Sequence, residues 1–147
     1  MISIEKISLK FAQLEEYLQI LQDIGKISEG KFLKDKIVIG SAKYYLQVGI
    51  ESCLDVANHI IATDRFRAPQ DYADSFKVLD ENHVVPSELS QKLRQMAKFR
   101  NRLVHLYGEI DNSYVYQIIH EDLGDMIEFR NIIIKRYKIL AKGEITA

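Results

Sequence analysis

Residues 88–107 read ELSQKLRQMAKFRNRLVHLY, and their spacing decides the fold. Leu89, Leu93, Met96, Ala97, Leu103, Val104 and Tyr107 return every three to four positions. At about 100° per residue they gather on one arc, the signature of an amphipathic helix rather than a strand. The spacing predicts a helix from about Glu88 to Leu106, with Ser87 as its N-cap and Gly108 as its stop. Arg100 stands at the centre of the apolar arc, with all seven apolar residues within about 60° of it. The far face carries Gln91, Arg94, Lys98, Arg102 and His105, and Arg94, Lys98 and Arg102 form a basic row at every fourth residue.

The same period extends in both directions. Ile4, Ile7, Phe11, Leu14, Leu18 and Leu21 predict a first helix, about Ile4 to Gly25, ended by the polar turn ISEGKF. A second is predicted from about Lys34 to Thr63, lined by Ile37, Ser41, Tyr44, Val48, Leu54, Ala57 and Ile61, with Gly40 and Gly49 weakening it or permitting close packing. The long connection TDRFRAPQDYADS leads into a short helix, about Tyr72 to Glu81. DNSYVY opens a last long helix running to about Leu140, acidic in its first half and basic (Arg130, Lys135, Arg136, Lys138, Lys142) in its second, as the helix dipole favours. Ile132 to Ile134 also suits a buried strand, but the flanking apolar residues keep helical spacing. The expected fold is a single all-α domain over residues 1–147, an antiparallel bundle of four long helices plus one short helix.

Composition narrows the function classes. The chain of 147 residues is 47% apolar and 28% charged, with net charge −1, so it is globular and carries no overall charge bias toward nucleic acid or membrane. Cys53 stands alone, which excludes an internal disulfide or a cysteine zinc site and suggests a reducing, cytoplasmic setting. No signal-peptide core and no run of about 18–20 apolar residues occurs, so no membrane association is expected. No histidine and carboxylate cluster has metal-ligand spacing, and GKFLKDK lacks the glycines of a phosphate loop, so neither metal nor cofactor is expected.

Two readings of Arg100 remain open on the residues alone. Its stem can pack while the guanidinium reaches the edge, or carboxylates can hold it in a cleft facing an anion. Glu51, Asp55 and Asn58 share a stripe of the second helix, making Glu51 and Asp55 candidate partners, although such a row is commonly a solvated face. His105 brings an imidazole, the side-chain type suited to general acid–base chemistry. Tyr107 alone reads as a core aromatic with its hydroxyl at the rim. On an ideal helix His105 sits about 140° from Arg100, so one helix cannot aim both at one atom. Either the helix unwinds before Gly108 or two copies pool their residues.

The order Arg100, four residues, His105, one residue, Tyr107 resembles the Arg-x4-His-x-Tyr signature of HEPN domains. FRNRLVHLYGEID, the following YVYQII and the upstream GIESCLDVANHI resemble the HepT-type toxin branch, so the likeness covers nearly the whole chain. The resemblance implies a metal-independent endoribonuclease acting as a homodimer with a composite site. It implies a toxin paired with a minimal nucleotidyltransferase antitoxin that transfers AMP to the motif tyrosine. By position, Arg100 and His105 are then catalytic, Asn101 supports them and Tyr107 accepts AMP. His105 would serve as the base for the substrate's 2′-hydroxyl, and Arg100 would bind the phosphate oxygens. Arg94, Lys98 and Arg102 are candidate guides for the RNA backbone, or else solvated charges. Gly108 departs from the bulky residue expected there. The competing reading is a non-catalytic helical dimer binding a nucleotide or a partner protein.

Overall fold

The computed structural model describes residues 2–139. Its helices are α1 (Ile4–Gly25), α2 (Glu29–Lys34), α3 (Lys36–Thr63), α4 (Tyr72–Glu81), α5 (Ser87–His105), α6 (Asn112–Glu121) and α7 (Leu123–Tyr137), with a 3-10 turn at Tyr107–Glu109. No strand occurs among the described residues, and Ile132 to Ile134 are helical. Leu140 and Lys142, expected on the last helix, lie outside the described residues.

Local chemistry sets the boundaries. The Ser3 hydroxyl accepts the Lys6 amide and starts α1, whose stripe from Ile7 to Ile24 is buried. ISEGKF is not merely a turn. Ser28 accepts the Lys31 amide to open α2, and Asp35 then accepts the Ile37 and Val38 amides to open α3. Two caps thus enclose a helix too short to show a period, with Phe32 its one buried residue. Ser87 is not an N-cap. It is the first residue of α5, after Pro86, and its hydroxyl donates to Asp80 across the turn at 2.7 Å. The expected last helix is broken at Asp122, where α6 ends and α7 begins, with Gly124 just beyond. A glycine there lowers the cost of the kink.

The inward face of α3 also differs from the expected one. Ile39, Ala42, Lys43, Leu46, Ile50, Cys53, Ala57 and Ile60 are buried, whereas Ile37 is 83% and Tyr44 55% exposed. Of the expected stripe, Leu54, Ala57 and Ile61 are buried and Ser41 and Val48 half-buried, whereas Ile37 and Tyr44 at its N-terminal end face outward.

Contacts between helices show the antiparallel register. Ser3 reaches His59 and Lys10 reaches Asp55, so α1 runs against α3. Glu51 meets Arg100 and Lys43 meets Tyr107, so α3 runs against α5. Arg130 pairs with Glu15, and His120 contacts the Gly25 carbonyl, so α6 and α7 return along α1. The four long rods of the expected bundle are therefore α1, α3, α5 and the broken α6–α7 pair. Phe129 occupies the centre, in edge-to-face contact with Phe11 at 6.3 Å and Phe76 at 5.7 Å. At Gly49 an added Cβ would lie 3.6 Å from the Met126 sulfur and 3.7 Å from Leu14, so the three helices meet with room for a methyl group and little more. No described helix is long and apolar enough to cross a membrane.

Candidate active site

Arg100 is held from three directions. Its Nε and Nη2 both donate to Glu51 Oε2, at 2.9 and 2.6 Å. Its Nη1 donates to Asn101 Oδ1 at 3.2 Å. The guanidinium lies over the Tyr72 ring, 4.8 Å from its centroid, a cation–π contact. The side chain is 15% exposed, so Arg100 is neither sealed in the core nor extended into solvent. These bonds use three of the guanidinium's five N–H groups. The other two make no hydrogen bond among the described residues. Glu51 supplies the carboxylate. Asp55 does not, because it pairs with Lys10 at 2.9 Å. One helical turn beyond Glu51, it is rotated about 40° toward α1.

The end of α5 separates the other two motif residues. The helix stays intact through His105, and Leu106 makes its last bond, to the Arg102 carbonyl at 2.7 Å. Leu106 then leaves helical geometry, at φ −131° and ψ 35°. Unwinding therefore begins after His105, too late to swing it toward Arg100. His105 is exposed and borders a cavity of about 630 Å³ together with Asn101 and Tyr72. Of the motif residues only His105 borders this cavity; Arg100 adjoins it through the Tyr72 ring, and the motif does not converge on one atom within the chain.

Tyr107 lies beyond the break and is not a core residue, being 49% exposed. Lys43 Nζ sits 4.3 Å from its ring centroid and donates to its carbonyl at 3.2 Å. The Tyr107 hydroxyl rests beside Gly40, where an added Cβ would be 3.6 Å away. Lys43 is only 6% exposed and makes no ion pair among the described residues. Burial lowers its ammonium below the usual lysine value.

Of the basic row, Lys98 and Arg102 are exposed, Arg102 lies 6.0 Å from the Tyr114 ring centroid, and Arg94 bonds back to the Ser90 carbonyl at 3.4 Å. On the helical wheel the row lies opposite Arg100 and so away from Glu51, and only its last member, Arg102, is placed against α6. A side chain added at Gly108 would meet open space, so the departure from the expected bulky residue leaves no packing defect in this chain. Tyr72 and Lys43 were missed from sequence. Lys43 shows the same signal as Arg100, a charge among buried positions. Tyr72 carries no such signal, because its role depends on where the 64–71 connection places it. No group of three potential metal ligands occurs among the described residues.

The bundle and its Arg–His–Tyr helix end place the chain among HEPN-type helical ribonucleases. The profile described as "Ribonuclease HepT-like" matches residues 14–130, and the chain belongs to that family. It is 30% identical over 132 residues to the mRNA nuclease HepT of Shewanella oneidensis, covering 90% of this chain and 96% of that protein. The tRNA nuclease HepT of Aphanizomenon flos-aquae is 24% identical over 115 residues, 77% of each chain. Among solved structures, the tri-AMPylated Shewanella oneidensis HEPN toxin in complex with MNT antitoxin superposes with a TM-score of 0.84 at 29% identity, covering 89% of this chain and 98% of that one.

Proposed function

We propose that this chain is the toxin of a toxin–antitoxin pair, a cytoplasmic endoribonuclease that needs no metal and acts as a homodimer. The carrying observation is the intact helix through His105. Arg100 has two N–H groups that make no hydrogen bond among the described residues, yet His105 projects about 140° away from it on the same helix. A two-fold pairing of α5 with its copy resolves this, bringing Arg100 of one protomer to the partner's His105. The surface around the motif suits such pairing. Val104, Leu106, Tyr107 and Tyr44 are large, apolar or aromatic, and exposed.

In that site His105 removes the proton of the substrate 2′-hydroxyl, which attacks the adjacent phosphorus. Arg100 binds the phosphate oxygens and stabilises the charge that develops on them. Glu51 and Asn101 fix the guanidinium in place. The bond from phosphorus to the 5′-oxygen breaks, and that oxygen takes a proton from water, giving a 2′,3′-cyclic phosphate and a 5′-hydroxyl. Arg94, Lys98 and Arg102 attract the RNA backbone without reading sequence.

Control falls on Tyr107. Its hydroxyl attacks the α-phosphorus of ATP in the antitoxin, forming a tyrosyl phosphodiester and releasing pyrophosphate. The added nucleotide is bulky and anionic, and it would oppose an RNA phosphate by charge and occlusion. The AMPylated state of the Shewanella toxin supports this assignment.

The test is cleavage of single-stranded RNA by purified protein in EDTA. Wild type should yield cyclic-phosphate ends, and a 2′-deoxy substitution at the cut position should abolish cleavage there. Absence of cleavage by a folded, unmodified protein would favour the non-catalytic binding reading.

A further inference from the structure

The cavity beside the motif is a distinct feature, formed by α3, the connection before α4, and the end of α5. Its volume of about 630 Å³ is that of a small-ligand site. Ile61, Pro69 and the Tyr72 ring provide apolar and aromatic walls. Three of the polar groups are carboxamides, Asn58, Gln70 and Asn101, and the others are Asp71, Ser75 and His105.

Hydrogen bonds orient two of these amides. Asn58 Oδ1 accepts the Ser75 hydroxyl at 2.7 Å, and Asn101 Oδ1 accepts from Arg100. Each amide nitrogen makes no other hydrogen bond among the described residues, so each remains a donor. Asp71 Oδ1 caps α4 through the Asp74 amide at 2.7 Å, leaving Oδ2 as an acceptor. The connection is pinned. Arg67 bridges Asp74 at 2.7 and 2.9 Å and Glu81 at 2.7 Å, while the Gln70 amide donates to Asp74 at 2.9 Å. The wall that carries Pro69 and Gln70 is therefore built before any ligand arrives.

This chemistry selects a class of ligand. His105 stands at its border, but no lysine or arginine lines the cavity and Asp71 opposes an anion, so a phosphate is disfavoured beside the carboxamides. Fixed neutral donors, a carboxylate acceptor and an aromatic wall match the edge and face of a nucleobase. Tyr72 joins this cavity to Arg100, the phosphate-binding cation.

We infer that this cavity is the subsite for one unstacked base of the RNA substrate, next to the phosphate held by Arg100, and that it gives cleavage a base preference at one position. The inference rests on the ribonuclease reading and adds recognition to it. Arg100 takes the phosphate, Tyr72 offers a ring to the base, and Asn58, Gln70, Asn101 and Asp71 read its edge. Sequence-independent guidance by the basic row is then combined with one specific pocket.

The test uses the whole protein in two assays. Adenosine, cytidine, guanosine and uridine are titrated while backbone amide resonances are followed, with inorganic phosphate as a parallel titrant. At least one nucleoside should shift Gln70, Tyr72 and Asn101, whereas phosphate should act near Arg100 and leave Gln70 unmoved. Gln70→Ala, in the exposed connection, should weaken nucleoside binding about fivefold, the loss of one hydrogen bond. In the second assay, cut sites are mapped on an RNA library. Wild type should prefer particular bases at one position beside the cut, and Gln70→Ala should flatten that preference while raising KM more than it lowers kcat. RNA cut with no preference, together with no nucleoside shift at the cavity, overturns the subsite and leaves the ribonuclease standing. Nucleoside binding at Gln70 without RNA cleavage supports a base site and overturns the ribonuclease reading. Equal shifts at Gln70 from phosphate alone would show an anion site and contradict the inference.

Discussion

The Arg100–Glu51 pair permits a quantitative prediction. Two guanidinium N–H groups converge on one carboxylate oxygen, and the side chains are 15% and 29% exposed. Exposed pairs couple by about 0–1 kcal/mol. Removing one partner of a fully buried pair costs about 3–5 kcal/mol. Hydrogen bonds to charged groups contribute about 1.5–3 kcal/mol. A pair of intermediate burial should therefore couple by about 2 kcal/mol. The perturbation is a double-mutant cycle of Glu51→Gln and Arg100→Met, read by urea unfolding followed by circular dichroism. Protein concentration is held fixed, because the proposed dimer would shift apparent stability. Each single variant should lose about 2 kcal/mol, or about 4–8 °C in Tm for a domain of this size, and the double variant should lose little more. Glu51→Gln should also lower kcat for RNA, because Arg100 loses the group that aims it. Coupling below about 0.5 kcal/mol would refute the reasoning and make the contact incidental.

Other outcomes follow from the same geometry. Tyr107→Phe should retain RNA cleavage and resist neutralisation by the nucleotidyltransferase, as measured by AMP incorporation in mass spectrometry. Normal neutralisation of that variant would remove Tyr107 as the acceptor. Phe129→Ala should cost about 3–5 kcal/mol in urea unfolding, since the ring is fully buried between Phe11 and Phe76. Stability should also fall in acid through His59. Burial, then Lys6, holds this imidazole below its usual value of 6.5, and its Nε2 accepts the Ser3 amide at 2.9 Å. The unfolded chain therefore takes up the proton first, so this contribution is present above pH 6.5 and is lost as pH falls toward the folded value. His59→Gln should flatten that part of the pH–stability curve.

The fold was legible where apolar residues repeat for several turns. The stripes of α1 and α5 show this, and so does Ile133, helical and fully buried in α7 despite its β-branched neighbours. What escaped was set by single contacts. α2 depends on the two caps Ser28 and Asp35, and six residues give no period. Ser87 has the right residue type for a cap, but Asp80 across the turn takes its hydroxyl. On α3 the expected stripe is buried at Leu54, Ala57 and Ile61, but its N-terminal half included Ile37 and Tyr44, which are exposed. Their exposure is informative, since they extend the uncovered surface toward the motif. Within the site, the charge on an apolar arc singled out Arg100, and helical spacing reduced its partners to Glu51 and Asp55. Choosing between them needed α1, because Lys10 draws Asp55 away. Tyr72 and the carboxamide cavity depend on a connection pinned by Arg67, a tertiary arrangement that no local pattern encodes.

The central claim is that Arg100 and His105 act across two protomers, and subunit mixing tests it. Arg100→Ala and His105→Ala proteins, each inactive alone, are mixed under conditions that exchange subunits and assayed on RNA in EDTA. In a two-fold dimer, half of the dimers formed are mixed, and one of their two sites keeps both residues. Activity should therefore return to about a quarter of wild type. If wild type cleaves RNA but verified mixed dimers remain inactive, the two residues work within one chain and the composite site is wrong.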